Sequence, residues 1–357
     1  MTLVLNNQEI ESLLDMKESI TAMEAAFGDL ANGRAVNRPR SHTYTELADN
    51  RYYMFKSMDG SYPRHGIHAL RLSSDIVEER VVDGKLRRDK LPAAPGGKWL
   101  GLVQIFSIET GELLAIMQDG FLQKMRVGAT SGVAAKCLSR PDSHRVGLFG
   151  TGWQADAQLM ALCEVREIRE ITVFSPNRDH LDRFVQRMKA LLKVSVVAAS
   201  GPRAVVEGAD IVVGSTNSLQ PVFDGSWLRP GMHVNSLQNG ELDASVLARS
   251  HVIAVRAREK STHWAVPGHA PAEMRKIADA SPEMESRTQE LGAILVGKSP
   301  GRTAPEQITM FGGSGSGGSS GLGIQFAAVG HVILEKARKG GIGRVIPSDW
   351  FLEDVHP

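Results

Sequence analysis

One strand-to-helix turn sets the frame for this chain. The apolar run Val146-Gly-Leu-Phe149 leads into Gly150-Thr-Gly-Trp-Gln-Ala155, a G-x-G-x-x-A pattern that opens a helical stretch over residues 154–163. Gly150 permits the tight turn, Gly152 lets backbone N–H groups approach a diphosphate, and Ala155 allows close packing of helix on sheet. A second buried strand over 171–174 follows at βαβ distance, and Leu159, Leu162 and Val165 can cover the sheet between the two. The segment is read as a dinucleotide site, with Gly150, Thr151, Gly152, Trp153, Gln154 and Ala155 facing the cofactor. A plain βα turn is the alternative.

The end of the second strand selects the nucleotide. An Asp or Glu there accepts from a ribose 2′-hydroxyl and repels a 2′-phosphate. This chain has Ser175-Pro-Asn-Arg178 instead. Ser175 and Asn177 can donate hydrogen bonds and Arg178 can pair with phosphate, which favours NADP(H) over NAD(H). The competing reading is a solvated loop in which Asp179 caps a helix carrying Leu181, Phe184, Val185 and Met188. Both can hold together.

A chain of 357 residues, 42% of them hydrophobic, suffices for two domains. Lys plus Arg number 41 against 40 Asp plus Glu, and the cations are scattered, so the chain shows no nucleic-acid footprint and points to a small-molecule partner. No segment approaches the roughly 20 apolar residues of a membrane helix, and no signal region opens the chain, so the cytoplasm is expected. Cys137 and Cys163 lack C-x-x-C spacing and read as buried free thiols. His65 and His68 lie three apart without a clear third ligand, so no metal is expected.

Periodicity predicts an α+β unit at the start: a strand at 3–5, a helix with Ile20, Met23, Phe27 and Leu30 inward and an Asp15/Glu18 capping box, then strands at 52–58, 67–73, 99–107 and 113–118. Residues 82–98, rich in Gly, Pro and charge, read as an inert surface loop or a mobile lid. A helix over 122–138 leads to the dinucleotide domain, whose further strands are expected at 194–198, 211–214, 233–237 and 252–255 in a doubly wound parallel sheet. Residues 312–321, nearly all Gly and Ser, read as a loop, a phosphate-facing turn or an engineered linker. A helix over 324–337 with a cationic end returns to the first domain. The expected division is a discontinuous substrate and dimerisation domain at 1–120 and 322–357, a Rossmann domain at 121–311, and the 312–321 loop.

Lys56 shares one strand face with Tyr52, Met54 and Met58, where desolvation should lower its pKa; it is either a functional ammonium or an edge-strand lysine that snorkels. Arg126 opens a helix after Asp119-Gly120, and Arg40 follows Pro39; each can offer a planar fork to a carboxylate or serve a surface salt bridge.

Taken in order, Lys56, Arg126, the glycine turn, Ala209-Asp-Ile-Val-Val213, Ser215-Thr216 and Pro230-Gly-Met-His-Val-Asn-Ser236 make the chain resemble the ornithine cyclodeaminase/mu-crystallin family over nearly its full length. The resemblance implies a homodimer, a lysine at Lys56 that contacts substrate and shuttles a proton, and arginines at Arg40 and Arg126 near the substrate carboxylate, with Arg38 competing for the first position and Arg126 also bordering the cofactor. It further implies that Ser215, Thr216, Ser236 and Leu237 border the nicotinamide and its ribose.

One departure bears on the reaction. Cyclodeaminases of this family carry a catalytic Asp in a loop before Glu-Leu-Asp, whereas Asn235-Ser-Leu-Gln-Asn-Gly-Glu-Leu-Asp243 is shorter and holds no acid before Glu241. Glu241 is expected to start a helix in a structural role. Asn239 can orient a water or an imine but is no general base near neutral pH. The resulting expectation is an NAD(P)H-dependent oxidoreductase acting at the α-carbon of a small amino or imino acid. The alternatives are a cyclodeaminase with retained NAD and a non-catalytic NADPH-dependent ligand-binding protein.

Overall fold

The computed structural model describes residues 1–48, 50–82, 85–238, 240–271, 281–312 and 321–354. The expected role of Asn239, and all but the two ends of the 312–321 stretch, lie outside the described residues.

Two sheets organise the chain. Apolar segments buried on both faces, such as Ile211–Gly214 and Val252–Val255, form the interior of a sheet that has eight strands among the described residues. Its order is Ser195–Ala198, Glu170–Phe174, Arg145–Phe149, Ile211–Gly214, His233–Ser236, Thr309–Gly312, Val252–Val255, Thr288–Glu290, and every neighbouring pair is parallel. The strand order reverses between Arg145–Phe149 and Ile211–Gly214, which opens a crevice beyond their carboxyl ends. Phe149 is in register with both Phe174 and Gly214, so Gly150, Ser175 and Ser215 emerge at one edge. The fold is the doubly wound Rossmann type expected. Two strands escaped the sequence reading: Thr288–Glu290, only three residues long, and Thr309–Gly312, which runs straight into the glycine tract.

Among the described residues, the first sheet has ten strands. Its main path runs Thr262–Ala265, Ser41–Ala48, Arg51–Tyr62, Ile67–Val82, Leu100–Ser107, Leu113–Gln118, Thr2–Leu5, Arg344–Ile346. Alternation along Arg51–Tyr62 buries Tyr52, Met54, Lys56, Met58 and Tyr62 on one side. The chain ends meet here, because Thr2–Leu5 pairs antiparallel with Arg344–Ile346. The helix Gly323–Gly340 lies against the Arg51–Tyr62 and Ile67–Val82 strands, as its apolar face requires.

Two expectations need correction. Part of the 82–98 segment is not a loop: Lys85–Leu91 forms a strand paired with the far end of Ile67–Val82, from Val82↔Lys85 to Ile76↔Leu91. Its charge hid it, although the sequence Asp83-Gly84 between two extended runs is a hairpin signal. Residues 262–265, which fall inside the expected 121–311 Rossmann domain, form an unforeseen strand, Thr262–Ala265, that pairs parallel with Ser41–Ala48 in the first sheet. The 121–311 boundary is therefore crossed at that segment.

The helix Gly120–Leu138 joins the two halves and is buried along most of its length. At Gly128 a side chain would meet the Ala157 carbonyl oxygen at 2.5 Å, so only glycine lets this helix sit against Ala155–Val165. Among the described residues, no helix is long and apolar enough to cross a membrane.

Candidate active site

The glycine turn is built around one position that only glycine fits. Gly150 has φ of +100°, and a Cβ there would lie 2.3 Å from the Ser215 carbonyl oxygen. Its N–H donates to Phe174 O at 2.9 Å, which ties the turn to the second strand. The helix Ala155–Val165 starts without a side-chain cap, and Ala155 is fully buried against the sheet. Gln154 Oε1 and Ser215 Oγ are buried without hydrogen-bond partners among the described residues. An uncapped helix start and orphaned polar atoms at the crevice suit a bound dinucleotide diphosphate. Trp153 is exposed, with Lys124 Nζ 4.5 Å from its ring centre, and Lys124 pairs with Asp156 at 3.0 Å.

Around the residues expected to meet the ribose, the details differ from expectation. Asn177, not Asp179, caps the helix Arg178–Leu192, accepting from His180 N at 2.9 Å. Arg178 is exposed and faces Asp182 at 3.4 Å, while Ser175 is half-buried. Glu241 does not start a helix. Asp243 makes that cap by accepting from Val246 N at 2.9 Å. Glu241 is fully buried and ties two crevice loops together: it accepts from Thr216 N, Ser236 Oγ at 3.0 Å, Leu237 N at 3.1 Å and Gln238 N at 3.0 Å. Burial pushes its carboxyl up despite these bonds. Thr216, Ser236 and Leu237 thus border the crevice with donors already engaged by Glu241.

The first sheet brings a second set of groups to the crevice. Lys56 Nζ lies 3.4 Å from Asp75 Oδ2, and Asp75 also accepts from Lys90 Nζ at 3.0 Å and Ser73 Oγ at 3.0 Å. Burial, then Lys90, holds the Lys56 ammonium well below the usual lysine range, with Asp75 opposing. Asp75 itself stays below the ordinary value, because Lys56 and Lys90 outweigh its burial.

Arg126 is buried, donates to Gln325 Oε1 at 3.0 Å and stacks on Phe326 at 4.7 Å. Burial and the neighbouring Arg256, Arg40 and Arg71 depress its pKa strongly. Burial, with Arg71 and Arg256, likewise pushes Arg40 down to about 9. The Nε atoms of Arg40 and Arg126 are both buried without partners among the described residues. Arg38, the competitor, is an exposed ion-pair partner of Asp59. Arg40 therefore joins the cluster and Arg38 does not.

Sequence reasoning missed Asp75, Arg71, Asp119 and Arg256. Arg71 pairs with Asp119 in a buried bridge and reaches Gln123 at 3.2 Å. Arg256 follows directly on the buried Val252–Val255 strand and stacks on Phe311 at 4.9 Å. A carboxyl-end position on a parallel strand was the available signal. The two halves meet at this crevice, since Asn217 donates to Asp89 at 3.2 Å and Arg87 bridges to Ser218.

The remaining candidates lie elsewhere. His65 stacks on His331 at 3.8 Å and His68 bonds Ser61 at 2.8 Å. Among the described residues, no group of three His, Cys, Asp or Glu can hold a metal. Cys137 and Cys163 are free, half-buried thiols, pushed up to about 11 by burial.

Residues 95–341 match the model of the ornithine cyclodeaminase/mu-crystallin family. The chain belongs to this family. Among its relatives, the alanine dehydrogenase of Archaeoglobus fulgidus is 29% identical over 351 residues, spanning 97% of this chain and 98% of that protein. The structure of Thermococcus litoralis Delta(1)-pyrroline-2-carboxylate reductase in complex with NADH and L-proline superposes with a TM-score of 0.77 at 28% identity, covering 97% of this chain and all of that one. An archaeal alanine dehydrogenase dimer with bound NAD gives 0.76 at 26% identity, covering 97% and 99%.

Proposed function

We infer that the protein is an NAD(P)H-dependent oxidoreductase that acts at the α-carbon of a small amino or imino acid, reducing an imine or running the reverse oxidation. The observation that carries this reading is the Lys56–Asp75 pair set among the buried guanidinium groups of Arg40 and Arg126. Relatives that reduce pyrroline-2-carboxylate or dehydrogenate alanine support it.

A bound nicotinamide supplies hydride to, or takes it from, the α-carbon. The chain's own residues do the rest. Arg40 and Arg126 hold the α-carboxylate through charge-assisted bonds. Lys56 gives a proton to the imine nitrogen during reduction, and Asp75 keeps the ammonium available against burial. Gly150, Thr151, Gly152, Trp153, Gln154 and Ala155 seat the diphosphate. Ser175, Asn177 and Arg178 favour NADP(H) over NAD(H); Asn177 still has its amide nitrogen to donate after capping its helix.

The working unit is a homodimer in the cytoplasm, as the dimeric archaeal relative supports for assembly. The test is NAD(P)H oxidation, followed by absorbance, with 2-oxo acids plus ammonia and with cyclic imines. Ammonia release from ornithine with no net change in nicotinamide would identify cyclodeamination instead, and saturable ligand binding without turnover would identify a binding protein.

A further inference from the structure

Two buried arginines at the crevice differ in what balances their charge. Arg71 and Arg126 flank the ring of Phe326, at 5.8 and 4.7 Å from its centre, and each is only 4% exposed. Arg71 is paired with the Asp119 carboxylate, its Nε donating to Oδ2 at 2.6 Å. Arg126 instead donates from Nη1 to the neutral amide oxygen of Gln325 at 3.0 Å, and its Nε has no partner among the described residues. Arg256, Arg40 and Arg71 surround Arg126 with further positive charge, and Asp119, the carboxylate that opposes them, is already engaged by Arg71.

The amide of Gln325 can present only its oxygen to this arginine. Oε1 also accepts from Leu322 N at 2.8 Å, and neither a guanidinium nor a backbone N–H can accept in return. Nε2 donates to Thr130 Oγ1 at 2.5 Å, and that hydroxyl directs its own proton to Arg126 O at 2.7 Å. Gln325 and Thr130 are fully buried, so water does not interrupt the ring of bonds. The third residue of the Gly323–Gly340 helix thereby fixes the fork that the Gly120–Leu138 helix supplies.

A buried charge held by a neutral group keeps an unmet demand for an anion. We propose that Gln325 is a positioning residue that fixes the Arg126 fork without neutralising it, so that the α-carboxylate of the substrate is the counter-ion this guanidinium lacks. The inference rests on the oxidoreductase reading of the same crevice. Gln325→Glu keeps the shape of the side chain and supplies a permanent counter-ion. It should therefore favour the fold and weaken substrate binding, two effects of opposite sign that the loss of a packing contact does not produce.

The experiment compares wild type with Gln325→Glu in two ways. The first is kcat/KM for 1-pyrroline-2-carboxylate relative to 1-pyrroline, which lacks the carboxylate; the variant should lose at least tenfold of that preference, chiefly through KM. The second needs no turnover: propionate should raise the melting temperature of the wild-type protein but not that of the variant, which should itself melt at or above wild type. An equal loss with both imines, a variant that melts below wild type, or propionate that stabilises both proteins alike or neither, would overturn the proposal. NAD(P)H oxidised with neither imine would instead overturn the oxidoreductase reading, and the melting temperatures would still decide the role of Gln325.

Discussion

Lys56 and Asp75 meet diagonally across two antiparallel strands, Nζ to Oδ2 at 3.4 Å, with Ser73 rather than Asp75 directly opposite the lysine. Both side chains are buried. Lys90 completes the arrangement from the Lys85–Leu91 strand, so one carboxylate serves two ammonium groups of different exposure.

This arrangement sets the pH dependence. In its proposed role as the acid in imine reduction, Lys56 must be protonated, so the rate should fall as pH rises through its depressed pKa. Asp75 raises that pKa and Lys90 lowers it. Asp75→Asn should therefore move the alkaline limb of kcat/KM to lower pH by about one unit or more, and Lys90→Met should move it to higher pH. Lys56→Ala should lower kcat roughly 10²–10⁴-fold with NAD(P)H affinity retained. Limbs that stay in place in both neighbours' variants would remove Lys56 as the titrating acid.

Arg126 provides a test of the carboxylate clamp. Arg126→Gln should reduce kcat/KM about 10- to 150-fold, the loss expected for hydrogen bonds to a charged group. Arg126→Lys should recover little, because an ammonium cannot reproduce the planar fork. Steady-state kinetics on the three proteins, with circular dichroism to check the fold, measures this directly.

Gly150 and Gly152 separate fold from binding. Gly150→Ala places a Cβ 2.3 Å from Ser215 O at positive φ, whereas a Cβ at Gly152 meets nothing within 4 Å. Gly150→Ala should destabilise the protein by about 1–3 kcal/mol. Gly152→Ala should leave thermal stability within about 0.5 kcal/mol yet weaken NAD(P)H binding, because the new methyl group occupies space kept for the diphosphate. Thermal melts paired with fluorescence titration of NADPH distinguish the two effects.

Arg178 tests coenzyme choice. Its guanidinium is exposed and, among the described residues, is held by an i,i+4 pair with Asp182. Arg178→Ala should raise KM for NADPH about tenfold, in line with one lost charge-assisted contact, and change KM for NADH little. Equal effects on both coenzymes would place the 2′-phosphate elsewhere.

Local chemistry explains which features were legible in the sequence. The glycine turn announces itself because its requirements fall on consecutive residues. Lys56 stands out because a period of two places it among Tyr52, Met54 and Met58, all buried. Asp75 and Arg71 were invisible as partners, since strand register and not sequence distance brings them to the site. Arg256 lies in a stretch that also carries the crossing strand Thr262–Ala265, which joins the other sheet. The Lys85–Leu91 strand was obscured by its charges, although pairing along Ile67–Val82 holds it extended. Glu241 was placed correctly as structural, but its actual work, bonding both crevice loops, depends on contacts with residues 214–216 and 236–238 that only the folded chain reveals.

The most direct measurement is the absorbance of the reduced nicotinamide band on mixing the protein with NADPH or NADH and a set of 2-imino acids. The account expects stoichiometric loss of absorbance matched by formation of the corresponding amino acid, abolished in Lys56→Ala. An unchanged band with every imine, or a rate equal to wild type in Lys56→Ala, would contradict it.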